Sequence, residues 1–393
     1  MKKTKRSCPI CSYGTGQILH TQTFKLPKGN PLPKVYDVVC CDKCGFVFAD
    51  TVASQDVYNS YYKNLSKYED KQVSTGSGAN PFDEDRLRVT AEDIGKVVKD
   101  KSSSILDIGC ASGGLLLELA KLGFTDLTGS DPSSVCIQDI QNAGIAVEKR
   151  GLFSSNEDGG KKYDLVVLTH VLEHIRDLKT AVENISRLVK DGGIVYIEVP
   201  DASRYPEFYV VPYYYIDSEH INHLDSDSLN NLFAQFGYRL VSDIKKELVV
   251  TSSQKYPAVG VFFERINQNI SEIKKSLSVA NSILAHIEKS KKDQMFSLID
   301  ALATEQKEII VWGVGSLTQR LLSDTQLDKC NIVAFIDNDS KKVGTEIVGK
   351  KILSSKALEG YDSAILVCAA IKSSEIAKQI RSVDPKREII FIN

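Results

Sequence analysis

Residues 102–123 read SSSILDIGCASGGLLLELAKLG, and this stretch decides the fold. Its apolar residues Ile105, Leu106 and Ile108 predict a buried strand, because a strand of a parallel sheet is covered on both faces. A glycine-rich turn follows, and the leucine-rich run 115–122 predicts a helix. This order places the turn at the carboxyl edge of the sheet, where α/β proteins bind their ligands.

The same alternation of strand and helix continues downstream. A second strand ends at the acid Asp131, a third covers Leu165 to Leu168, and a fourth lies within DGGIVYIEVPD at 191–201. The helical stretch SDSLNNLFAQFG and the strand-like stretches YRLVSDI and AVGVFFERI follow. Regular alternation of this kind predicts an α/β fold with a doubly wound parallel sheet.

Composition limits the class of protein. A chain of 393 residues is too long for one ordinary core, so two or three domains are expected. The formal net charge of -2 gives no reason to expect a nucleic-acid partner. No apolar run is long enough to cross a bilayer, and the basic start MKKTKR is followed by CPICSYG rather than by an apolar signal region. The sequence therefore predicts a cytoplasmic protein with no membrane partner.

Five of the nine cysteines crowd the first forty-four residues. CPIC at 8–11 and CDKCG at 41–45 form two C-x-x-C pairs about thirty residues apart, which is the spacing of a zinc ribbon. Four thiolates leave no open coordination position, so the predicted Zn²⁺ is structural and not catalytic. The alternative is a set of reduced thiols without a metal. The predicted zinc ligands are Cys8, Cys11, Cys41 and Cys44.

The segment 264–306 carries apolar residues spaced by threes and fours, which predicts one or two long amphipathic helices. These residues are Ile266, Ile270, Ile273, Leu277, Ile283 and Ile287. After them, EIIVWGVGSLTQRLL and NIVAFIDNDSKKVG repeat the order of strand, glycine turn, helix, strand and acid, which predicts a second Rossmann-like domain. The predicted domains are a zinc-binding domain at 1–70, a central α/β domain at 71–263, a helical connector at 264–306 and a C-terminal domain at 307–393.

The string ILDIGCASG with Asp131 downstream resembles the class I S-adenosylmethionine methyltransferases. The turn is not the G-x-G-x-x-G of dinucleotide folds, and Asp131 is placed to accept hydrogen bonds from two ribose hydroxyls. The alternative is a nucleotide-binding Rossmann unit without methyl transfer. The resemblance implies a cofactor site in which Thr169 or His170 lies near the sulfonium and Phe153 near the adenine. The candidate cofactor-binding residues are Asp107, Gly109, Cys110, Gly113, Asp131, Phe153, Thr169 and His170.

Four of the six histidines fall in two loops that should face one pocket, since both loops follow strands that end at the same sheet edge. THVLEH at 169–174 holds His170 and His174, and DSEHINH at 217–223 holds His220 and His223. With Glu219, the second pair offers three ligands to a metal. A sulfonium is already activated, however, and what methyl transfer needs is a base of near-neutral pKa, for which histidine is suited. We therefore favour a base over a metal.

Over its whole length the chain resembles the bacterial three-domain sugar C-methyltransferases, which act on nucleotide-linked ketosugars. In that family a Tyr-x-Glu-His element carries the base, and a histidine in a V-L-x-H loop belongs to the site. The resemblance implies that His220 is the base, oriented by Glu219, that His174 positions the acceptor, and that Tyr62, with Tyr61 beside it, completes the pocket. It also implies a nucleotide-linked sugar as substrate, in surface polysaccharide or sugar biosynthesis.

One departure from the family concerns Asp217, which stands where the family has tyrosine. A phenol stabilises an enolate oxygen, whereas a carboxylate there would repel it. O-methylation of a sugar hydroxyl or of a phosphorylated capsule precursor is therefore an alternative, as is a non-catalytic protein that binds S-adenosylmethionine or a sugar nucleotide. The C-terminal turn 313–316 and Asp337 would help to hold the nucleotide diphosphate, or would serve packing alone.

Overall fold

A computed structural model describes residues 2–65, 81–154, 160–252, 254–268 and 272–392. The strands of this part of the chain are β1 Lys2–Lys3, β2 Thr15–Thr23, β3 Val35–Cys41, β4 Val47–Asp50, β5 Ser104–Ile108, β6 Asp126–Ser130, β7 Ala146–Glu148, β8 Tyr163–Thr169, β9 Val189–Pro200, β10 Asn222–His223, β11 Tyr238–Val249, β12 Lys255–Arg265, β13 Ile309–Trp312, β14 Ile332–Ile336, β15 Glu346–Ile347, β16 Lys350–Leu353, β17 Ala364–Val367 and β18 Ile389–Phe391. The helices are α1 Gln55–Leu65, α2 Pro81–Val97, α3 Gly114–Lys121, α4 Ser134–Asn142, α5 Leu178–Leu188, α6 Ser226–Phe233, α7 Ser278–Ser290, α8 Met295–Glu305, α9 Ser316–Asp324 and α10 Ser373–Val383.

The central sheet has seven strands in the order β11-β12-β9-β8-β5-β6-β7. β5 pairs in parallel with both β6 and β8, so the strand order reverses direction at β5. β12 runs antiparallel to β9 and to β11. The predicted α/β alternation is therefore confirmed, with β12 as an antiparallel insertion that the apolar pattern did not distinguish from a parallel strand.

The stretch that decides the fold forms the elements expected of it. All five residues of β5 are buried, and α3 follows the glycine turn directly. Gly109 and Gly113 have φ of 76° and 82°, a region that side chains with a Cβ rarely adopt. A Cβ at Gly113 would lie 2.8 Å from Cγ1 of Ile140, which packs against the turn. Both glycines are therefore required by the backbone itself.

The first sheet has the order β1-β2-β3-β4-β10, and its last strand comes from the middle of the chain. Asn222 and His223 pair antiparallel with Phe48 and Val47. The amide of Ala49 also donates to the carbonyl of Ile221, at 2.9 Å. The second half of DSEHINH therefore belongs to the N-terminal sheet, which the sequence did not predict.

The helices of the 264–306 segment begin later than the spacing of apolar residues predicted. β12 continues to Arg265, and α7 begins at Ser278. Ile273 packs instead against the core of the central sheet, and Ile270 lies outside the described residues. α7 joins the core shared with the N-terminal sheet, whereas α8 packs into the core of the C-terminal sheet.

The third sheet has the order β15-β16-β14-β13-β17-β18. β13 lies between β14 and β17 and is parallel to both. The turn after β13 is tied to Asp337, whose Oδ2 accepts a hydrogen bond from the amide of Val314 at 2.7 Å. Among the helices of the described ranges, none is both long and apolar enough to span a membrane.

Two histidines are almost fully buried among aromatic side chains. His223 on β10 and His286 on α7 are 0% and 1% exposed, and within the described residues their ring nitrogens have no hydrogen-bond partner. Burial, with nearby cationic groups, lowers the pKa of each ring to about 3. Both rings are therefore neutral in the folded protein at any physiological pH.

We expect these histidines to make the protein less stable in mild acid. Below the ordinary histidine pKa of about 6.5, these rings become protonated in the unfolded chain but stay neutral in the folded protein. The free energy of unfolding therefore falls by up to ~1.4 kcal/mol per pH unit for each ring. This loss should run from about pH 6.5 down to about pH 3. Urea unfolding at pH 7, 6 and 5 should show a shallower dependence in His286→Phe than in the wild type. Equal slopes would contradict a neutral buried ring.

Candidate functional site

The glycine turn is fixed to the end of β6 through Asp131. The amide of Ala111 donates to Oδ2 of Asp131 at 3.1 Å, and the amide of Ser133 donates to Oδ1 at 2.8 Å. Ala111 has a φ of 47°, so the turn is held in an unusual conformation by this carboxylate. Asp131 is half-buried at the carboxyl edge, in the position predicted for it.

Asp107 is the most buried acid of the predicted cofactor set, at 1% exposure. Within the described part of the chain its Oδ1 has no hydrogen-bond partner. Burial, together with the charge of Asp131, raises the pKa of Asp107 to about 7, against the opposing effect of Arg86. A buried carboxylate oxygen without a donor is costly unless a ligand supplies one.

Two other residues of the predicted cofactor set are Cys110 and Phe153. The side chain of Cys110 lies in the apolar core, so only its backbone faces the turn. Phe153 is half-buried and lines a cavity of about 110 Å³ together with Ile108, Arg150 and Asn184. Residues 155–159, which continue this loop, lie outside the described residues.

The glycine turn touches the THVLEH loop directly. A Cβ on Gly109 would lie 2.8 Å from Cγ2 of Val171, so the two loops are in close contact at the sheet edge. Thr169, the last residue of β8, is half-buried there. This contact brings the predicted cofactor turn and the predicted histidine loop together.

His170 is a charged structural residue rather than a free base. It has a φ of 55°, and its ring nitrogens lie 3.2 Å from Oε1 of Glu173 and 3.3 Å from Oε1 of Glu198. Burial disfavours the charged ring, but hydrogen bonds and charge from the two carboxylates outweigh burial and raise the pKa of His170 to about 9. An imidazolium held between two carboxylates is not available to remove a proton at neutral pH.

Glu198 is a functional candidate that the sequence analysis missed. It is fully buried in β9, and its Oε2 accepts hydrogen bonds from Lys246 at 2.7 Å, Tyr196 at 2.8 Å and Thr90 at 3.0 Å. Arg86 approaches its other oxygen at 3.6 Å. The signal was present, since a glutamate inside the apolar run GIVYIEVP has to be paired when the strand is buried.

His174 and His220 come together as the sequence predicted. Their ring centroids are 4.7 Å apart, with an edge-to-face geometry. Nδ1 of His174 shares a hydrogen bond with the hydroxyl of Tyr62 at 2.7 Å and lies 3.2 Å from the carbonyl oxygen of Glu219. Burial lowers the pKa of His174, so this ring is neutral at physiological pH.

His220 is partly exposed, and within the described residues no hydrogen bond holds its ring. Its neighbour Glu219 instead accepts a hydrogen bond from the hydroxyl of Tyr61, at 3.1 Å. A bond between the Glu219 carboxylate and the His220 ring is not among those of the described residues, so orientation of His220 by Glu219 stays a prediction. The tyrosines Tyr61 and Tyr62 of α1 thus each contact one member of the predicted site.

The metal alternative of the sequence analysis does not match the positions of its residues. His223 is buried on β10 beside Tyr205, with ring centroids 6.0 Å apart, whereas Asn222 faces the THVLEH loop through hydrogen bonds to Leu172 and Ile175. Residues 222 and 223 project to opposite faces of a strand, and Glu219, His220 and His223 do not form a group of potential metal ligands among the described residues. The side chains that do come within 4.8 Å of one another are those of Glu173, His174 and His220.

The four cysteines of the C-x-x-C pairs form one cluster. Their sulfurs all lie within 4.8 Å of one another, with 3.6 Å between Cys8 and Cys44 and 3.4 Å between Cys11 and Cys41. Cys40 is not part of the cluster, since its sulfur lies 3.5 Å from the carbonyl oxygen of Gly45. Four sulfurs at these separations are close to the corners of a tetrahedron around a metal.

Comparison with known proteins identifies two regions of the chain. A family model described as a methyltransferase domain matches residues 82–243. A second model, described as C2185-like, N-terminal, matches residues 305–390.

The curated relatives share part of their length with this chain. This chain is 30% identical over 98 residues to a ubiquinone biosynthesis O-methyltransferase of Rhizobium leguminosarum bv. trifolii. The aligned region covers 24% of this chain and 38% of that enzyme. The corresponding enzyme of Methylobacterium nodulans is 36% identical over 98 residues, which are 24% of this chain and 39% of that enzyme. The chain thus spans under two fifths of the length of these relatives.

Solved structures of methyltransferases are also similar. The N-methyltransferase NodS from Bradyrhizobium japonicum, in complex with S-adenosyl-l-homocysteine, is 19% identical with a TM-score of 0.38, over 53% of this chain and 97% of that one. The magnesium protoporphyrin IX methyltransferase from Synechocystis is 14% identical with a TM-score of 0.38, over 55% of this chain and 99% of that one.

The family match covers most of the central sheet. Residues 82–243 begin in α2, which carries Arg86, and end in β11, so they include the glycine turn, Asp131 and both histidine loops. This region of the chain is a methyltransferase domain.

Proposed function

We propose that the chain is a methyltransferase that transfers the methyl group of S-adenosylmethionine to a sugar, with His220 as the base that removes the acceptor's proton. The observation that carries the proposal is the contact of His174 with both His220 and Tyr62, since His174 belongs to the THVLEH loop that contacts the glycine turn. A nucleotide-linked ketosugar of polysaccharide or sugar biosynthesis is the substrate class we favour, from the resemblance of the sequence.

The residues around the glycine turn fit the cofactor. The unpartnered Oδ1 of Asp107 is suited to accept a hydrogen bond from the ammonium group of its methionine part, and Asp131 to accept those of the ribose hydroxyls. The left-handed Gly109 and Gly113 leave the backbone open to close approach. Bound there, S-adenosylmethionine supplies an activated methyl group.

We expect the affinity for S-adenosylhomocysteine to depend on the protonation of Asp107. With a pKa of about 7 in the free protein, Asp107 must lose its proton before it can pair with the ammonium group. Affinity should therefore fall by up to about tenfold per pH unit below pH 7. Isothermal titration calorimetry between pH 8 and 5.5 measures this. Asp107→Asn should bind more weakly and without this pH dependence.

The control for Asp107 is Asp126, an exposed acid at the start of β6 that contacts Lys161. Asp126→Asn should keep both the affinity and the pH profile of the wild type. An affinity of the wild type that is the same at pH 8 and at pH 5.5 would contradict a role of Asp107 in binding the ammonium group.

The proposed chemistry needs a base at the acceptor. His220 has a ring without a hydrogen-bond partner among the described residues, so its nitrogen is available to accept a proton. His174 is neutral and held by Tyr62, which suits it to position the acceptor's oxygen. Thr169 and His170 stand at the carboxyl end of β8, which suits both to line the cofactor pocket.

A second candidate is methylation of oxygen instead of carbon. The curated relatives of the methyltransferase domain are named O-methyltransferases. Their names support methylation of an oxygen atom, but they do not support a sugar as the substrate. A third candidate, a protein that binds the cofactor or a sugar nucleotide without turnover, is less consistent with the free ring of His220. For the C-terminal domain we propose a role in holding the nucleotide part of the substrate near Asp337.

We expect His220→Ala to lower the rate of methyl transfer by on the order of a hundredfold or more, since loss of a general base typically costs this much. Its affinity for S-adenosylhomocysteine should change little. The assay follows methyl transfer to a panel of nucleoside diphosphate-linked ketosugars. His20→Asn, a half-buried histidine on β2, is the control. Retained turnover in His220→Ala removes His220 from the role.

The carbon and oxygen alternatives are separated by proton exchange. An enzyme that methylates carbon should exchange the α-proton of its ketosugar with heavy water, and one that methylates oxygen should not. His220→Ala should abolish this exchange if His220 is the base.

For the N-terminal domain we propose a structural Zn²⁺ held by Cys8, Cys11, Cys41 and Cys44. The wild type should contain about one zinc ion per chain by elemental analysis, and Cys41→Ser close to none. Chelation should lower the melting temperature, because a structural zinc site contributes directly to folding. The adjacent Cys40→Ser is the matched control and should keep its zinc. Full zinc content in Cys41→Ser would contradict the proposed ligand set.

A further inference from the structure

The turn that carries His220 is built by Asp217. Oδ1 of Asp217 accepts hydrogen bonds from the amide of Glu219 at 2.8 Å and from that of His220 at 2.7 Å. A side-chain oxygen bonded to the backbone two and three residues later closes a tight local turn. The carboxylate at this position therefore bonds to backbone amides and shapes the backbone under His220.

The two carbonyls at the start of the turn are held by different parts of the chain. The hydroxyl of Tyr36, on β3 of the N-terminal sheet, donates to the carbonyl of Asp217 at 2.5 Å. Nη1 of Arg320, on α9 of the C-terminal domain, donates to the carbonyl of Ile216 at 3.4 Å. Both donors are almost fully buried, at 1% and 3% exposure.

Arg320 is a buried cation that lies close to Asp217. Burial lowers the pKa of Arg320, and the negative charge of Asp217 is the largest influence that opposes this shift. A buried guanidinium without a nearby carboxylate is strongly unfavourable, so the two charges support each other. Arg320 therefore balances part of the charge of Asp217.

The helix that carries Arg320 has its own attachment to the N-terminal sheet. Asp324 accepts hydrogen bonds from Gln22 at 2.5 Å and from Thr23 at 2.6 Å, and the amide of Lys25 donates to the carbonyl of Gln319 at 2.9 Å. These contacts hold α9 in place independently of Arg320. Loss of the Arg320 side chain should therefore affect the turn and not the docking of the helix.

We propose that Asp217 and Arg320 are positioning residues for His220, so that the C-terminal domain completes the support of the catalytic turn. The proposal rests on the proposed function of His220, but the positioning itself is measurable without turnover. It also gives the aspartate at this position a structural role, because its carboxylate accepts hydrogen bonds from two amides of the turn and lies near a buried arginine.

Amide hydrogen exchange in the full chain tests the positioning. Loss of a hydrogen bond to a charged acceptor should accelerate exchange of the Glu219 and His220 amides by about tenfold or more in Asp217→Ala. Asp217→Asn keeps an oxygen acceptor and should retain most of the protection. Arg320→Met should shift the imidazole resonance of His220, assigned by its absence in His220→Ala. Unchanged exchange and an unchanged imidazole resonance in Asp217→Ala and Arg320→Met would overturn the proposal.

Matched controls separate this effect from general loss of structure. Asp100 forms a similar turn by accepting from the amide of Ser102, and Arg381 donates to backbone carbonyls elsewhere in the C-terminal domain. Asp100→Ala and Arg381→Met should leave the His220 signals unchanged. If Asp217→Ala does not fold, Tyr36→Phe removes only a hydroxyl and should accelerate exchange of the same two amides; wild-type exchange in Tyr36→Phe would overturn the proposal.

Turnover gives a separate readout. Once an acceptor is identified, both positioning variants should lower kcat while KM for S-adenosylmethionine stays near the wild-type value. Faster amide exchange in Asp217→Ala supports the positioning even if His220→Ala keeps full turnover, and that second result would overturn the proposed function alone.

Discussion

The pairing of β10 with β4 is the constraint on which the site depends. Two residues from the middle of the chain, Asn222 and His223, become the edge of a sheet whose other strands come from the first fifty residues. This pairing fixes the preceding turn between the N-terminal sheet and the loop after β8, where the amide of Ile221 donates to the carbonyl of Glu173. His220 is held at the carboxyl edge of the central sheet because both ends of its segment are anchored.

Three histidines of this region show how the surroundings of a side chain set its pKa. Carboxylates on both sides raise the pKa of His170 to about 9, whereas burial lowers the pKa of His174 and lowers that of His223 to about 3. Glu198, which is paired with Lys246, provides part of the charge that holds His170. The ring of His220 is partly exposed and packs edge-to-face against the ring of His174.

The sequence was sufficient for the features that depend on local pattern. The buried strand β5, its glycine turn, Asp131 and the clustering of four cysteines follow from the residue order alone, because each needs particular residues at fixed spacing. The sequence could not show that residues 222 and 223 pair with β4, since pairing between distant segments leaves no local signal. For the same reason Arg86 and Arg320 were missed, and the register of Tyr61 and Tyr62 became clear only from their contacts. Glu198 did leave a local signal, as a glutamate inside an apolar strand, but its partners Lys246 and Thr90 are distant in sequence. The first helix after Arg265 starts late, at Ser278, because the described residues between β12 and α7 form neither helix nor strand.

The central claim is that the ring of His220 opens onto the cavity that holds the methyl donor. The most direct measurement is a crystal structure of the full chain with S-adenosylhomocysteine bound. The account predicts the sulfur beside the glycine turn, with open space for an acceptor between it and the ring of His220. A ring turned outward, or packed side chains between the ring and the sulfur, would contradict it.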